Sequence, residues 1–529
     1  MTNILLTSSL IILACIVAHQ ISAKAGMPVL LLFMVLGMLC GSDGILKIEF
    51  HDYELTEKIC SVALIFIMFY GGFCTNWKAA RPVAVKAGVL STCGVVLTAV
   101  LVCLFCHYVI KLSMIESFLI GAVISSTDAA SVFSILRSKN LSLKLGTDSM
   151  LEVESGSNDP IAYMLTMTAL TIISGENVSI PYMIFAQIVY GAALGIILGF
   201  AGVYVLQRLN TYMKDDLDTL FVIALMLISY SLPAVIGGNG YLSVYLTGII
   251  LGNKKIQNKI QLVHFFDGIT NLAQILIFFL LGLLSFPHKI PGIFLTAVLL
   301  FLFLTLIARP LAIFLLLLPA KCSIRQCLLV SWAGLRGAAS IVFAIMALAS
   351  GVMLEGDIYH IIFLIALLSV AIQGTLLPAV SRKLQMVDES EDVRKTFTDY
   401  QEESAITLMK LFIPKGHNWE NKTISEVSIP TGSLALMIKR KKETVIPKGD
   451  TKIIANDNVI LSVPAYDATE DVKLEEIIIG KNHKWRDKKV ADLSLPNGRL
   501  VALLKRGNEN IIPQGQTQVE YKDIVVIYK

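Results

Sequence analysis

From about residue 3 to residue 387 the chain repeats one pattern: an apolar run of about 20 residues, a short polar break, then another run. Helix of that length crosses the hydrocarbon of a bilayer, so each run reads as a membrane span. Thirteen runs are predicted, beginning near Asn3, Met27, Lys58, Val83, Ile115, Ser149, Pro181, Leu217, Gly240, Asp267, Ile290, Arg325 and Asp357. The ninth, Tyr241 to Leu251, is short. The first lacks the basic start and cleavage site of a signal peptide and is read as a span. After Asp388 the pattern changes. Asp388, Glu389, Glu391, Asp392, Asp399, Glu402 and Glu403 mark a solvated acidic linker, expected to be helical. Short alternating runs beyond it predict strands.

The polar tail is duplicated. Residues 409–463 align without a gap on 475–529. His417, Trp419, Pro430, Gly432, Lys439, Arg440, Pro447, Gly449 and Asp457 recur as His483, Trp485, Pro496, Gly498, Lys505, Arg506, Pro513, Gly515 and Asp523. A repeat this regular indicates duplicated units. Each copy predicts strand, short helix, strand, turn, strand, strand. Four segments follow: a transmembrane part over 1–385, the linker over 386–403, and small α+β domains over 404–466 and 467–529.

Composition and charge agree with this division. Hydrophobic residues make up 55% and charged residues 16%, against about 25% charged in soluble proteins. Half of the 44 Lys and Arg lie after Asp388. With the tail inside the cell, sixteen basic residues fall in inner loops; only Lys47, Lys58, Lys111 and Lys289 fall in outer ones. Basic loops face the cytoplasm, which sets the orientation. No basic stripe with interleaved aromatics points to nucleic acid. Cys103 and Cys106 form a CxxC without a second pair, inside an apolar run where Cys packs as a small hydrophobe.

Charges inside the bilayer cost about 2.5–3.5 kcal/mol each, so they need a reason. The sequence places Asp128, Glu154, Asp159, Arg309 and Arg336 there, with Glu152 near a span end. Hydroxyl residues and Asp128 interrupt the fifth span, and Gly334 and Gly337 bracket Arg336 in the twelfth. Both are places for a helix to unwind, and paired interruptions point to a transporter site. Asp128 is suited to the positive half-helix ends and Arg336 to the negative ones.

In the sixth span, Glu154 and Asn158 share one helix face, and Ser155 and Asp159 share another. Pro160 frees a carbonyl one turn back. A monovalent cation wants oxygen ligands, and Asp159, Ser155, Thr127 and loosened backbone supply them. A buried carboxylate must be neutralised by a proton or a cation, and competition between the two is sufficient for exchange. Glu154 is expected to pair with Arg336, since a buried acid is tolerable when paired. Arg309, beside Pro310, is expected to snorkel to the inner surface.

Thr127-Asp128, Glu154-Ser155, Asn158-Asp159-Pro160 and Leu335-Arg336-Gly337 resemble the motifs of NhaP-type cation:proton antiporters. The tail copies resemble TrkA-C (RCK_C) domains, a combination similar to the potassium/proton antiporters of the cell-volume regulation group. The resemblance implies an inverted-repeat membrane fold whose fifth and twelfth spans are broken crossing helices. It implies a cation site at Asp159 with Asn158, Thr127, Asp128 and Ser155 around it, electroneutral exchange of K⁺ or Na⁺ for H⁺, and a homodimer in the bacterial cytoplasmic membrane. It also implies a regulatory tail that takes a nucleotide such as a cyclic dinucleotide, or one that only assembles subunits. The tail copies pair within or between chains. No GxGxxG strand–helix unit follows Asp388, and no cofactor is expected. A ligand-gated potassium channel is the alternative, but no TVGYG-like filter occurs. A membrane sensor would leave Asp159 unexplained, and no enzyme constellation is evident.

Overall fold

The computed structural model describes residues 9–18, 20, 28–139, 141–208, 217–254, 256, 258–352, 356–388, 406–427, 429, 433–440, 443–464, 474–480, 483–493, 500–506, 509–511, 513, 515–521 and 523–528. Contacts divide the chain into two units, residues 1–400 and 401–529.

The first unit is helical. Its segments are α1 (Ser9–Ala18), α2 (Val29–Cys40), α3 (Tyr53–Cys74), α4 (Ala84–Ile110), α5 (Met114–Ile124), α6 (Ala129–Ser138), α7 (Thr147–Ile173) and α8 (Ile180–Arg208). There follow α9 (Leu217–Val235), α10 (Gly240–Gly252), α11 (Lys259–Leu283), α12 (Pro287–Leu317), α13 (Ile324–Trp332), α14 (Ala338–Ala349) and α15 (Ile358–Lys383). Among the described residues, seven of these are long and apolar enough to cross a membrane: α3, α4, α8, α9, α11, α12 and α15. The 27-residue α7 carries Asp148, Glu152, Glu154 and Asp159, charges that a plain span does not have. The helices α8, α9 and α12 leave most of their apolar surface uncovered, as a surface that meets lipid does.

Two places are built by broken helices. Residues Ser125 to Asp128 separate α5 from α6, and Ala333 to Gly337 separate α13 from α14. The two interruptions meet: the Asp128 N–H donates to the Leu335 carbonyl at 2.9 Å. A wide π turn in α15, Ser369–Gly374, supplies further partners. Ser369 Oγ accepts the Arg336 N–H at 3.0 Å, and Gln373 Nε2 donates to the Trp332 carbonyl at 3.2 Å. Backbone groups freed by the break are thus satisfied by polar side chains, the condition under which irregular backbone survives at membrane depth.

The linker was expected from residue 386. Met386 is instead buried, and β2 (Val387–Asp388) pairs antiparallel with β1 (Ser142–Leu143), so these residues belong to the helical unit. Residues 389–405, where an exposed acidic helix was expected, lie outside the described residues.

The second unit contains two antiparallel four-stranded sheets. The first, in the order β3 (Ile406–Phe412), β6 (Asn458–Pro464), β4 (Leu434–Arg440), β5 (Glu443–Val445), is followed by its copy. The copy has the order β7 (Leu474–Ile478), β10 (Ile524–Tyr528), β8 (Leu500–Arg506), β9 (Glu509–Ile511). Register repeats with topology: Met409 faces Leu461, and Glu475 faces Ile527. The expected short helix is a run of turns in the first copy and a single 3-10 turn, Val490–Asp492, in the second. Backbone bonds from Asn421 to Ile453 and from Asp487 to Val519 hold this segment to the loop before the last strand.

One ion pair closes each copy. Arg440 Nε and Nη2 donate to the two Asp457 oxygens at 3.0 and 2.9 Å; Arg506 grips Asp523 at 2.9 and 2.8 Å. Burial pushes both carboxyls up. The guanidinium fork and a backbone N–H, from Ile454 or Glu520, outweigh it and hold them below the usual carboxylate range.

Candidate cation site

Helix α7 carries the central residues. Pro160 removes one backbone donor inside it. The Pro160 carbonyl accepts from Asn239 Nδ2 at 2.8 Å, and Asn239 Oδ1 also caps α10 through the Leu242 N–H at 3.0 Å. The loosened turn is therefore tied to a neighbouring helix.

One face of α7 docks on the first interruption. Asn158 Nδ2 donates to Thr127 Oγ1, and Ser155 Oγ donates to the Thr127 carbonyl at 2.5 Å. Asn158 is fully buried. Asp159 accepts from Ser126 Oγ. Its carboxyl is half-buried on the wall of a cavity of about 380 Å³, lined also by Thr127, Asp128, Ser155, Glu152 and Gly337. Among the described residues, no cationic side chain pairs with Asp159.

The charges at the crossing follow the half-helix ends. Arg336 Nη1 donates to the Ser125 and Ser126 carbonyls at 2.8 and 2.5 Å, at the negative end of α5. Asp128 accepts from Ser131 N–H at 3.2 Å and Ser131 Oγ at 2.5 Å, at the positive end of α6. Its carboxylate also lies against Gly337, which begins α14; a Cβ there would collide with it. Only glycine fits that close approach.

The structure corrects the expected ion pair. Glu154 Oε1 is bonded by Arg309 Nη2 at 2.6 Å, and both side chains are buried. Arg336 is committed to the two carbonyls instead. Arg309 therefore does not snorkel. Its side chain is 2% exposed and its guanidinium is taken by Glu154. The π turn Leu304–Ala308 directly before it rotates the helix and turns Arg309 inward, where its Nε lies against Gly334. The Glu154–Arg309 pair thus fastens α7 to the backbone of the second interruption.

One group of cavity residues escaped sequence reasoning. Asp267, Thr270, Asn271 and Gln274 of α11 line the same cavity as Asp159. Their spacing of three, four and seven from Asp267 is a helical stripe, and that polar stripe was the available signal. A tenth span beginning near Asp267 puts that residue at a span boundary, where a charge needs no special reason. In the structure α11 begins at Lys259.

Comparison with known proteins agrees with this architecture. The family described as sodium/hydrogen exchanger, transmembrane, matches residues 9–383, and the TrkA-C domain matches residues 408–469 and 474–528. A K⁺/H⁺ antiporter NhaP from Alkalimonas amylolytica is 32% identical over 468 residues, covering 86% of this chain and 80% of the relative. A K⁺/H⁺ antiporter NhaP2 from Shewanella baltica is 30% identical, covering 85% and 79%. The solved sodium proton antiporter MjNhaP1 from Methanocaldococcus jannaschii superposes with a TM-score of 0.62 at 22% identity, covering 72% of this chain and 99% of that one, and shows the shared fold. The chain, with its exchanger unit followed by two TrkA-C domains, belongs to the sodium/hydrogen exchanger family.

Proposed function

We propose that this protein is a secondary antiporter that exchanges a monovalent cation, K⁺ in preference to Na⁺, for H⁺ across the bacterial cytoplasmic membrane. The observation that carries this reading is Asp159: a carboxylate on the wall of a cavity inside a membrane unit, held by a serine hydroxyl and by no cationic side chain among the described residues. Uncompensated charge is costly there. A proton or a cation offsets the cost, and one carboxylate takes one or the other. The Asn158–Asp159 pair resembles the electroneutral type of cation:proton antiporter, and the exchange is one proton for one cation. Thr127, Ser155 and Asp128 supply further oxygens to the cation.

Movement of Asp159 between the two sides follows alternating access in an inverted-repeat fold of thirteen spans, whose crossing interruptions form the mobile centre. The chain works as a homodimer with its tail in the cytoplasm, and the tail's TrkA-C domains regulate exchange. Preference for K⁺ rests on the tail and on relatives described as K⁺/H⁺ antiporters.

The test is reconstitution into vesicles enclosing a pH dye. Added K⁺ should drive proton movement at lower concentration than Na⁺. Proton flux that needs no cation overturns the exchange reading, and single-channel currents overturn it in favour of a channel. Removing the residues after Asp388 should leave exchange with a shifted pH or cation dependence; unchanged kinetics would remove the regulatory role of the tail.

A further inference from the structure

We infer that Asp267, Thr270, Asn271 and Gln274 form a second cation station in the cavity that holds Asp159, where the ion exchanges part of its water shell before reaching the transport carboxylate. The inference rests on the antiporter reading above and adds a binding site to it.

The four residues occupy one face of α11, and all line the cavity of about 380 Å³ that Asp159 and the first interruption also line. Asp267 supplies the charge. Its Oδ1 accepts from Tyr70 of α3 at 2.9 Å, and its Oδ2 accepts from Asn271 Nδ2 at 3.3 Å. Both bonds come from neutral donors. Neither bond cancels its charge. That Asn271 bond uses the amide nitrogen and leaves the amide oxygen for a ligand.

Thr270 points to a ligand independently. It is 6% exposed, and its Oγ1 makes no hydrogen bond among the described residues. A buried hydroxyl without a partner is costly. In α-helices a threonine hydroxyl readily returns to the carbonyl one turn back, as Thr166 and Thr168 do in α7. Thr270 gives up that bond on the cavity wall. A cation or its water would supply the missing partner.

The donor set is all oxygen: one carboxylate, one hydroxyl and two amide carbonyls. This suits a hard monovalent ion, and one charge makes the station weak enough to release it. Conduction through successive sites needs such moderate binding. The station also separates capture from exchange. Asp267 raises local cation concentration, while Asp159 does the competing chemistry.

The rival explanation is a structural tie, Asp267 serving only to join α3 to α11 through Tyr70. Full-length variants in vesicles with an entrapped pH dye separate the two. Asp267→Asn should raise the KM for K⁺ about tenfold with little change in maximum rate, and Asp267→Glu should restore most of it. Tyr70→Phe removes the tie and keeps the charge, so its KM should stay within about twofold of the unmodified protein. Thr270→Val should change the ratio of the KM values for K⁺ and Na⁺. The inference is overturned if Asp267→Asn leaves KM unchanged, or if Tyr70→Phe reproduces the whole effect. Should Asp267→Asn not fold, Thr270→Val decides: KM values for both ions equal to those of the unmodified protein overturn the station. Exchange retained by Asp159→Asn would instead strike the role of Asp159, an outcome separate from any change in KM at Asp267.

Discussion

Helix α7 carries two acids five residues apart, Glu154 and Asp159, and gives them opposite surroundings. Glu154 faces a guanidinium at 2.6 Å and is sealed from water. Asp159 faces a cavity, and among the described residues its partner is a serine hydroxyl. Nothing in the two side chains separates these roles. The difference lies in what each helix face meets. The Glu154 face meets Arg309, turned inward by a π turn; the Asp159 face meets an unwound segment that leaves room for solvent. In the proposed exchange, the acid that works is the one from which the fold withholds a counter-ion.

The largest expected effect breaks that contrast at its open end. Asp159→Asn keeps the shape and the Ser126 contact but removes the exchangeable charge. Cation-dependent proton flux in vesicles should fall to the background of empty vesicles, with the variant still folded by its melting profile. Asp128→Asn should fall less far, since Asp128 also serves the α6 end through Ser131. Flux in Asp159→Asn equal to that of the unmodified protein would place the exchange elsewhere.

The closed end should fail through stability. Arg309→Met leaves Glu154 charged, buried and alone, and breaking such a pair costs about 3–5 kcal/mol. The melting temperature of the detergent-solubilised protein should drop accordingly. The double variant Glu154→Gln with Arg309→Met removes both charges and should recover most of the loss. A double-mutant cycle with Arg336 should show weaker coupling to Glu154, because Arg336 serves the Ser125 and Ser126 carbonyls. Stronger coupling to Arg336 than to Arg309 would reverse the assignment.

Gly337→Ala tests the room left for Asp128. The new methyl would displace the Asp128 carboxylate from the start of α14. Exchange should slow roughly tenfold, the order of effect that small misplacements in a site produce, while the melting temperature changes less than in Arg309→Met. An unchanged exchange rate would mean that Asp128 need not sit there.

Much of this contrast was legible in the sequence, and the reason is energetic. Asp128, Asp159 and Arg336 stand out because charge in an apolar run is expensive, and Gly334 and Gly337 mark where backbone can unwind. The helical interruptions, the α7 face with Asn158 and the tail duplication all follow from local pattern. The partner of Glu154 did not. Two arginines were available, and the choice depends on the rotation of α12 by a π turn, which sequence periodicity does not reveal. The α11 stripe escapes for a simpler reason: the helix begins at Lys259, eight residues before the span start expected near Asp267, so Asp267 lies inside it and not at its boundary. The short helix expected in each tail copy fails because backbone bonds to the loop before the last strand fix turns there instead.

The tail gives the comparison a third case, a carboxylate paired as Glu154 is but outside the membrane. Asp457 and Asp523 are buried, and the arginines that grip them are about one-third exposed. Their carboxyls lie below the ordinary carboxylate range. A depressed folded value contributes stability that is complete above the unfolded value, near 3.9, and is lost as pH falls through the folded one. The tail should therefore keep its stability down to about pH 4 and lose part of it below. In a full-length protein carrying Trp77→Phe and Trp332→Phe, the remaining tryptophans, Trp419 and Trp485, report on the two tail copies. Denaturant titrations of their fluorescence at neutral pH and near pH 3 measure the loss. Asp523→Asn should cost about 1–2 kcal/mol at neutral pH in the second copy, kept at the low end by solvent screening of Arg506, and should flatten the acid dependence of that copy alone. An acid dependence equally steep in Asp523→Asn would mean that the Arg506 fork does not set it.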